Sequence, residues 1–199
     1  MTRPSTAPDF VTHYFFAGRS PFRSLSDLDG DELAQTIGEL DAARQAGRHK
    51  RVFGRRYMEL RRLTEGRLHT LFLERGGIPE RATPYYFVLG ACEWYRGLAR
   101  DMQELRLPLS ALPEHVTSFT YPDSFTAMEF GAEFGIPYVP REYHGRVFLL
   151  GELEEVIGRY GLPVDDTDDP YEGYERRPFE KYVEIQLWSD TPIERFRAR

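Results

Sequence analysis

Residues 52–75, VFGRRYMELRRLTEGRLHTLFLER, carry a long helical pattern that decides the fold of this chain. Apolar side chains recur every three or four positions, which places them along one side of a helix. At about 100° per residue, one broad arc holds the predicted core stripe: Phe53, Tyr57, Leu60, Leu63, Thr64, Leu68 and Leu71. Gly76, Gly77 and Pro79 follow this stretch and predict the end of the helix.

Shorter patterns on both sides of this helix complete the fold prediction. Phe10–Phe16 is aromatic and β-branched and stops at a Gly-Arg-Ser-Pro loop, so it is predicted to be a strand. Capping residues at 26–31 predict a helix to Ala46. Further strands are predicted at 84–89, 104–109, 116–121, 146–150 and 181–188, with a helix at 152–160. This order predicts an α+β protein with a twisted mixed or antiparallel sheet, in which an N-terminal strand is followed by two helices.

Length and composition bound the kind of protein. A chain of 199 residues, 41% of them apolar, fits one domain, 1–199, with a flexible tail at 1–9 and a mobile acidic loop at 165–177. The single Cys92 excludes an intramolecular disulfide, and the five histidines lack metal-ligand spacing, so no metal is expected. No apolar run approaches membrane-spanning length, which predicts a cytoplasmic protein with no membrane partner.

The common catalytic motifs are missing from the sequence. It has no Gly-rich phosphate loop ending in Lys-Ser or Lys-Thr, no G-x-G-x-x-G, no G-x-S-x-G and no H-E-x-x-H. Polar loop clusters that set an arginine beside glycine occur at 18–21 and 143–146, where a phosphate could approach the backbone. Arg19 in the first cluster is a candidate for binding phosphate.

Charge is unevenly distributed along the chain. Residues 44–67 carry nine cationic side chains against Glu59 and Glu65, a surplus of seven positive charges in a chain of net charge −6. Such a segment must face something negative. That could be a nucleic acid, a phosphorylated cofactor or the chain's own acidic stretch at 152–175, and the sequence does not choose among them.

The arginines of this segment fall into two groups around the predicted helix. One group lies opposite the core stripe and is the candidate surface for a nucleic acid or an acidic protein: Arg48, Arg51, Arg55 and Arg62. Arg56 and Arg67 fall within or beside the apolar arc. A desolvated cation costs several kcal/mol if it is unpaired, so each of the two must snorkel, meet an internal carboxylate or bind an anion in a cleft.

The last predicted strand alternates in character. Val183, Ile185 and Leu187 share one face and are predicted to be core. The other face carries Tyr182, Glu184, Gln186 and Trp188, which sets a carboxylate and an amide between two aromatic rings. That pattern suits a cleft for a planar or sugar-bearing ligand, whereas a half-exposed strand with a solvated glutamate is the alternative. The first strand alternates similarly, and a lone histidine such as His13 is more often a hydrogen-bonded core residue than a catalytic one.

The order of these segments resembles the DNA-targeting ADP-ribosyltransferase toxins and their relatives. The matching segments are Thr12-His13-Tyr14 in the first strand, the 48–75 helix, Pro84-Tyr85-Tyr86-Phe87, Ser118-Phe119-Thr120-Tyr121-Pro122-Asp123 and Tyr182-Val183-Glu184-Ile185-Gln186-Leu187. In this chain Val183 precedes the glutamate, where the family pattern has alanine. The resemblance implies an ADP-ribosyltransferase-like fold and an enzyme that uses NAD as its substrate.

The resemblance also implies roles for individual residues. Glu184 would be the catalytic carboxylate that stabilises the oxocarbenium-like ribose as the nicotinamide bond breaks. The dinucleotide would be held by His13 and Tyr14, and its pyrophosphate by Arg19, Arg56 or Arg67. Stacking on the nicotinamide would come from Tyr85, Tyr86 or Trp188, with Gln186 beside them. The acceptor, a nucleic acid or a protein, is not identified by the sequence.

Two readings without catalysis stand beside this one. The chain could be a binding or regulatory module that docks on a nucleic acid or an acidic partner through residues 44–67, in which case binding is salt-sensitive and indifferent to Glu184→Gln. It could also be an α+β protein whose cationic helix packs against its own 152–175 stretch. Oligomeric state is not readable from the sequence.

Overall fold

The computed structural model describes residues 6–53, 55–134, 137–163 and 180–197, apart from the side chains of Arg55, Phe134 and Arg197. The predicted acidic loop at 165–177 and residues 1–5 of the predicted tail lie outside the described residues. Ala7 already packs against the core, and the Asp9 carbonyl accepts a hydrogen bond from the Leu109 amide at 2.7 Å. The chain is therefore tied to the sheet before the first strand begins.

Six strands form one sheet: β1 Phe10–Phe16, β2 Tyr85–Leu89, β3 Met102–Pro108, β4 Thr117–Thr120, β5 Phe148–Leu149 and β6 Glu184–Leu187. Their order across the sheet is β3-β1-β2-β6-β4-β5, and all described pairings are antiparallel. The predicted α+β class is confirmed. Of the two predicted kinds of sheet, mixed and antiparallel, the structure has the antiparallel kind. The last strand in sequence, β6, lies between β2 and β4, which puts Glu184 near the middle of the sheet.

The helices are α1 Gly30–Gln45, α2 Arg55–Glu74, α3 Glu93–Arg96, α4 Ser124–Ala127, α5 Leu153–Tyr160 and α6 Glu194–Arg197. The predicted start of α2 at Val52 is wrong, because residues 51–53 are not helical. Its end is as predicted. Gly76 adopts φ +86°, and the Gly77 amide donates to the Phe72 carbonyl at 2.9 Å, which is a glycine-dependent helix stop. The sequence missed α3 and α4, because four residues are too few to show a helical period.

Strand alternation gives the sheet two different faces. The first face carries the main core, with Val11, Phe87, Ile185 and Phe119 from neighbouring strands all 2% exposed or less. The second face carries Thr12, Val88, Glu184 and Thr120, which are successive register partners across β1, β2, β6 and β4. On this face Leu68 and Phe72 of α2 pack with Trp188. Because β6 is covered on both sides, the alternative of a half-exposed last strand is wrong.

The core stripe predicted for α2 is partly wrong. Leu63 is 54% exposed, whereas Met58 and Phe72, which the predicted arc omitted, are 4% and 0% exposed. The buried side of α2 is therefore rotated away from the predicted arc, and Arg61 and Glu65 occupy positions on it. The sequence pattern could not show this, because it contains no information about which part of the sheet the helix covers.

Candidate active site

A cavity of about 210 Å³ lies where β1, β2 and β6 meet residues 51–61, and residues from both faces of the sheet line it. Twelve phenylalanine and tyrosine residues contribute to its walls, and those nearest to residues 51–61 and to Glu184 include Phe53, Tyr57, Tyr86, Tyr95, Phe125 and Tyr182. The charged groups that line it are Arg51, Arg61 and Glu184, with Arg19 and Arg23 from the loop after β1. A concave site with many rings and a few convergent charges is the usual form of a small-molecule site.

Glu184 is the only carboxylate in the described lining of this cavity. Its residue is 7% exposed, and its position is fixed by register between Val88 of β2 and Thr120 of β4. Gln186 Nε2 donates to Glu184 Oε1 at 3.3 Å, and the backbone of Ser124 also hydrogen-bonds the carboxylate. Burial raises the pKa of Glu184, although the nearby Arg61 charge acts in the opposite direction.

Arg61 projects from α2 over the second face. Its guanidinium carbon lies 3.7 Å from the centre of the Tyr86 ring, a cation–π contact. Arg61 Nε donates to Glu65 Oε1 at 2.8 Å, and the two side chains are only 14% and 2% exposed. The same Glu65 oxygen accepts from Ser26 Oγ at 2.8 Å and from the Tyr86 hydroxyl at 3.1 Å. Glu65 therefore fixes both Arg61 and Tyr86.

Arg51 provides a second cation on the other side of the cavity. One of its terminal nitrogens donates to the Tyr95 hydroxyl at 2.8 Å, and the other donates to the Tyr57 hydroxyl at 3.4 Å. Its guanidinium also lies over the rings of Phe53 and Tyr95, at 5.0 and 5.6 Å from their centres. Two guanidinium groups held by tyrosines form a preorganised site for an anionic, ring-bearing ligand.

Asp123 lies behind Glu184 and is 4% exposed. Its Oδ1 accepts from the Phe125 and Thr126 amides at 3.0 and 3.2 Å, which caps α4. Burial and the neighbouring Glu184 charge raise the pKa of Asp123 to about 7. Two carboxyl groups whose environments shift their pKa values upward are typical of a catalytic site.

Six of the residues predicted to act on or bind the substrate line this cavity: Glu184, Tyr86, Tyr14 and Arg19, with His13 and Tyr85 from the first face of the sheet. Tyr86 pairs with Gln186 while Val88 pairs with Glu184, so Tyr86 and Glu184 are diagonal neighbours on one face. Tyr14 stacks on Tyr95, with 5.0 Å between ring centres, and its hydroxyl accepts from the Cys92 amide. Arg19 is paired with Glu39 of α1 at 2.6 Å.

His13 and Tyr85 lie on the first face of the sheet, opposite to Glu184. Thr12 pairs with Val88, and Val88 pairs with Glu184, so these three residues lie on the same face of the sheet. The next residue of β1, His13, therefore points to the opposite face. Tyr85 packs in the main core, and its hydroxyl donates to Asp190 at 2.7 Å. His13 and Tyr85 line the cavity from the first face, so the geometry does not support the predicted role of His13 in binding the ribose beside Glu184.

Other predicted ligand-binding residues lie away from the cavity. Arg56 forms an ion pair with Glu133, and Arg67 donates to the Met128 carbonyl at 2.9 Å. Trp188 and Gln186 are fully buried and are not part of the cavity lining. Trp188 stacks on Phe72 with ring centres 6.0 Å apart, so its ring is part of the packing between α2 and the sheet.

The predicted surface for nucleic acid or an acidic partner is divided. Arg51, predicted to be solvated, is half-buried in the cavity. Arg62 donates to the Leu28 carbonyl at 3.2 Å, and Arg48 is exposed before α2 begins. Arg55 starts the helix, but its side chain is not described. The three of these arginines whose side chains are described, Arg48, Arg51 and Arg62, differ in their surroundings and do not form the predicted solvated face.

Sequence reasoning missed the residues that hold the cavity together, namely Tyr57, Arg61, Glu65, Tyr95 and Asp123. A signal for three of them was present, because Tyr57, Arg61 and Glu65 follow one another at intervals of four residues on the helix. A polar line of this kind within an apolar pattern indicates groups that meet one another in the interior. Tyr95 and Asp123 belong to short elements and had no comparable signal.

Comparison of this chain with protein-family models, with curated proteins and with solved structures gave no match. Within the described residues, no three His, Cys, Asp or Glu side chains come together in a way that could hold a metal ion. In the same part of the chain, none of the helices combines the length and apolar character that crossing a membrane requires. Any assignment of function therefore rests on the geometry of the cavity.

Proposed function

We propose that this chain is an ADP-ribosyltransferase that uses NAD as its substrate, with Glu184 as the catalytic carboxylate. The observation that carries the proposal is the position of Glu184, which is buried in the wall of a cavity between a stacking ring, Tyr86, and a fixed cation, Arg61. The α+β fold, with helices after the first strand and the glutamate on a late strand, accords with the resemblance found in the sequence.

The chemistry requires a negative charge beside the ribose. As the bond between nicotinamide and C1′ breaks, its electron pair leaves with the nicotinamide and positive charge develops on the ribose. A carboxylate fixed in a site that excludes water stabilises that charge more strongly than a solvated one. The acceptor oxygen or nitrogen then forms a bond to C1′ and loses its proton. Glu184 is the ionisable group in the cavity that suits this role.

The other lining groups suit the rest of the dinucleotide. Arg51 and Arg61 replace Arg56 and Arg67 as the proposed pyrophosphate ligands, because they line the cavity and Arg56 and Arg67 do not. Arg19 and Arg23 also line it, but they form ion pairs with Glu39 and Glu32. Tyr86 and Tyr182 flank Glu184 and offer ring faces for the nicotinamide or adenine. His13, Tyr85, Gln186 and Trp188 have no direct contact with substrate in this proposal.

The test is turnover of NAD by the wild type and by Glu184→Gln, with nicotinamide release as the measurement. Assays should contain water alone, mixed DNA, mixed RNA or a protein extract as the acceptor. We expect release to fall by roughly 100-fold or more in Glu184→Gln and to be unchanged in the matched control Glu154→Gln, whose carboxylate is exposed on α5.

Calorimetric titration with NAD separates binding from chemistry. Glu184→Gln is expected to bind NAD nearly as well as the wild type, because the substitution retains shape and hydrogen bonding. Arg61→Ala is expected to weaken binding, because it removes a proposed pyrophosphate ligand. Absence of both NAD binding and nicotinamide release in the wild type would overturn the proposal, as would equal release by the wild type and Glu184→Gln.

The rival function, non-catalytic docking through residues 44–67, has less support. Six of the nine cations in this segment have partners inside the protein: Arg44, Arg51, Arg56, Arg61, Arg62 and Arg67. These contacts engage the six charges within the described part of the protein, which leaves fewer of them for a partner.

A further inference from the structure

A line of buried polar side chains connects β4 with β6 behind Glu184. Trp188 Nε1 donates to Ser118 Oγ at 2.9 Å, and Ser118 Oγ donates to Gln186 Oε1 at 3.0 Å. Gln186 Nε2 donates in turn to Thr120 Oγ1 at 3.0 Å and to Glu184 Oε1 at 3.3 Å. Ser118, Thr120, Gln186 and Trp188 are each 0% exposed. Register supports the arrangement, because Ser118 pairs with Gln186 and Thr120 with Glu184.

The hydrogen bonds in this line favour one orientation of the Gln186 amide. An indole N–H is a donor and never an acceptor, so Ser118 Oγ must accept from Trp188. The hydroxyl proton of Ser118 is then free to point to Gln186 Oε1. At the other end of the amide, Nε2 lies 3.2 Å from the Glu184 backbone carbonyl, which can only accept. The two ends together direct the NH₂ group toward Glu184, an orientation that is ordinarily ambiguous.

We propose that Gln186 is a positioning residue for Glu184, and that Trp188 and Ser118 act through it by fixing the direction of its amide. A donor aimed at one carboxylate oxygen stabilises the ionised form and holds the group in one rotamer. The part of this inference that concerns catalysis rests on the proposed function, whereas the part that concerns the ionisation of Glu184 does not.

Several groups act on Glu184 besides this line. The carboxyl group of Asp123, at the start of α4, is close enough to Glu184 that a negative charge on one disfavours a negative charge on the other. The charge of Arg61, from α2, favours the ionised form of Glu184. Burial raises the pKa of Glu184, and the hydrogen bond from Gln186 lowers it. The phenols of Tyr86 and Tyr182 also face the carboxylate. The hydrogen bond from Gln186 thus opposes the effect of burial on the pKa of Glu184, together with the charge of Arg61 and the hydrogen bonds from Ser124.

The decisive experiment is the titration of Glu184 followed by ¹³C NMR of protein labelled at glutamate side-chain carboxyls, with Glu184→Gln to assign the signal. In Ser118→Ala the line is cut while Gln186 and Trp188 are retained. We expect the pKa of Glu184 to rise by about one pH unit, the size of effect that loss of one charge-assisted hydrogen bond produces. Gln186→Leu should cause at least as large a shift.

A matched control is available on the same strand. Thr117 is fully buried on the opposite face of β4, and its hydroxyl has no hydrogen-bond partner among the described residues. Thr117→Val therefore removes a buried hydroxyl from β4 without touching the line and is expected to leave the Glu184 titration unchanged. A Ser118→Ala protein in which Glu184 titrates as in the wild type would overturn the proposal, as would an equal shift in Thr117→Val.

Kinetics provide the second readout. With NAD as the substrate, Ser118→Ala is expected to move the acid limb of the kcat profile upward by about one pH unit, and so to lower kcat by about tenfold at pH values on that limb, with little change in KM. An unmoved acid limb would contradict the positioning role. If the wild type does not turn over NAD, the proposed function fails, and the NMR titration alone decides whether the line controls Glu184.

Discussion

At the scale of single residues, His13 shows how a residue type typical of active sites becomes structural. Its Nδ1 lies 2.9 Å from the Tyr86 carbonyl, and the Phe22 amide donates to its Nε2 at 3.0 Å. Nδ1 must therefore carry the proton, and both ring nitrogens have backbone partners. The ring stacks on Phe22, with 4.4 Å between centres. Because β1 and β2 have ladder pairs only at Val11 and Thr12, His13 links the two strands where their pairing ends.

The stability of the protein should depend on pH through this histidine. Burial lowers the pKa of His13 from 6.5 to about 4. Between pH 6.5 and about pH 4, His13 is protonated in the unfolded chain but neutral in the folded protein. The free energy of unfolding therefore falls as the pH decreases through this range. The loss amounts to about 3 kcal/mol at pH 4. In His13→Gln this contribution is absent, because glutamine does not titrate.

Urea unfolding at several pH values measures this effect. The wild type should be more stable than His13→Gln at pH 7, and its advantage should shrink by about 3 kcal/mol on acidification to pH 4. Carboxyl groups such as Asp123 affect both proteins and cancel in the difference. A stability difference that stays constant between pH 7 and pH 4 would show that His13 is not held neutral by the fold.

At the scale of elements, α2 connects the core with the cavity. Its C-terminal half packs Leu68 and Phe72 against Trp188, and its N-terminal half directs Tyr57 and Arg61 into the cavity. Glu65, between them, is 2% exposed and binds Arg61 and Tyr86. The packing of the C-terminal half of α2 against Trp188 therefore fixes the distance between the Arg61 guanidinium and the sheet.

Two leucines of this helix should differ sharply in their effect on stability. Leu68 is 0% exposed and Leu63 is 54% exposed, although the sequence placed both in one core stripe. Leu68→Ala is expected to lower the free energy of unfolding by about 3 kcal/mol, since it removes buried methyl groups and leaves a cavity. Leu63→Ala is expected to change it by less than about 0.5 kcal/mol. Urea midpoints with unchanged slopes provide the measurement. Equal losses in the two variants would contradict the rotation of α2 described above.

At the scale of the whole molecule, the described cationic side chains of residues 44–67 are spread over several different sites. Arg51 and Arg61 enter the cavity, Arg56 pairs with Glu133, and Arg67 contacts the Met128 carbonyl. The stretch at 152–175, expected as a possible internal partner, is described only to residue 163, and within that part Glu152 pairs with Arg75 at 2.8 Å. The surplus of positive charge in residues 44–67 therefore does not form one basic surface among the described side chains.

Binding of nucleic acid should accordingly be weak and only modestly dependent on salt. Arg48 and Lys50 are exposed, and two or three phosphate contacts correspond to a slope of about −2 to −3 in a plot of log K against log salt concentration. Fluorescence anisotropy with single-stranded and duplex DNA measures that slope. Charge reversal at Arg48 and Lys50 should reduce it to near zero. A slope steeper than about −5 would instead favour the docking function over the proposed enzyme.

The sequence predicted some parts of the fold better than others. β1 and the end of α2 were predicted correctly, because strand alternation and a Gly-Gly stop are local properties. The start of α2 was wrong because residues 51–53 carry a helical pattern but are not helical, and Arg51 and Phe53 line the cavity instead. In the candidate site, Glu184 was singled out from alternation and Tyr86 from the resemblance. Arg51 was assigned to the wrong side, and Arg61, Tyr95 and Asp123 were missed.

The sequence by itself determined the order of strands and helices, the α+β class and the carboxylate at position 184 between aromatic rings, because periodicity and chain order are written in neighbouring residues. Only the tertiary structure decided which side of α2 is buried, which two arginines enter the cavity, and that His13 and Glu184 point to opposite faces. Those outcomes depend on strand register and on how a helix is rotated against a sheet. Both are fixed by contacts between residues far apart in the chain, which no local pattern records.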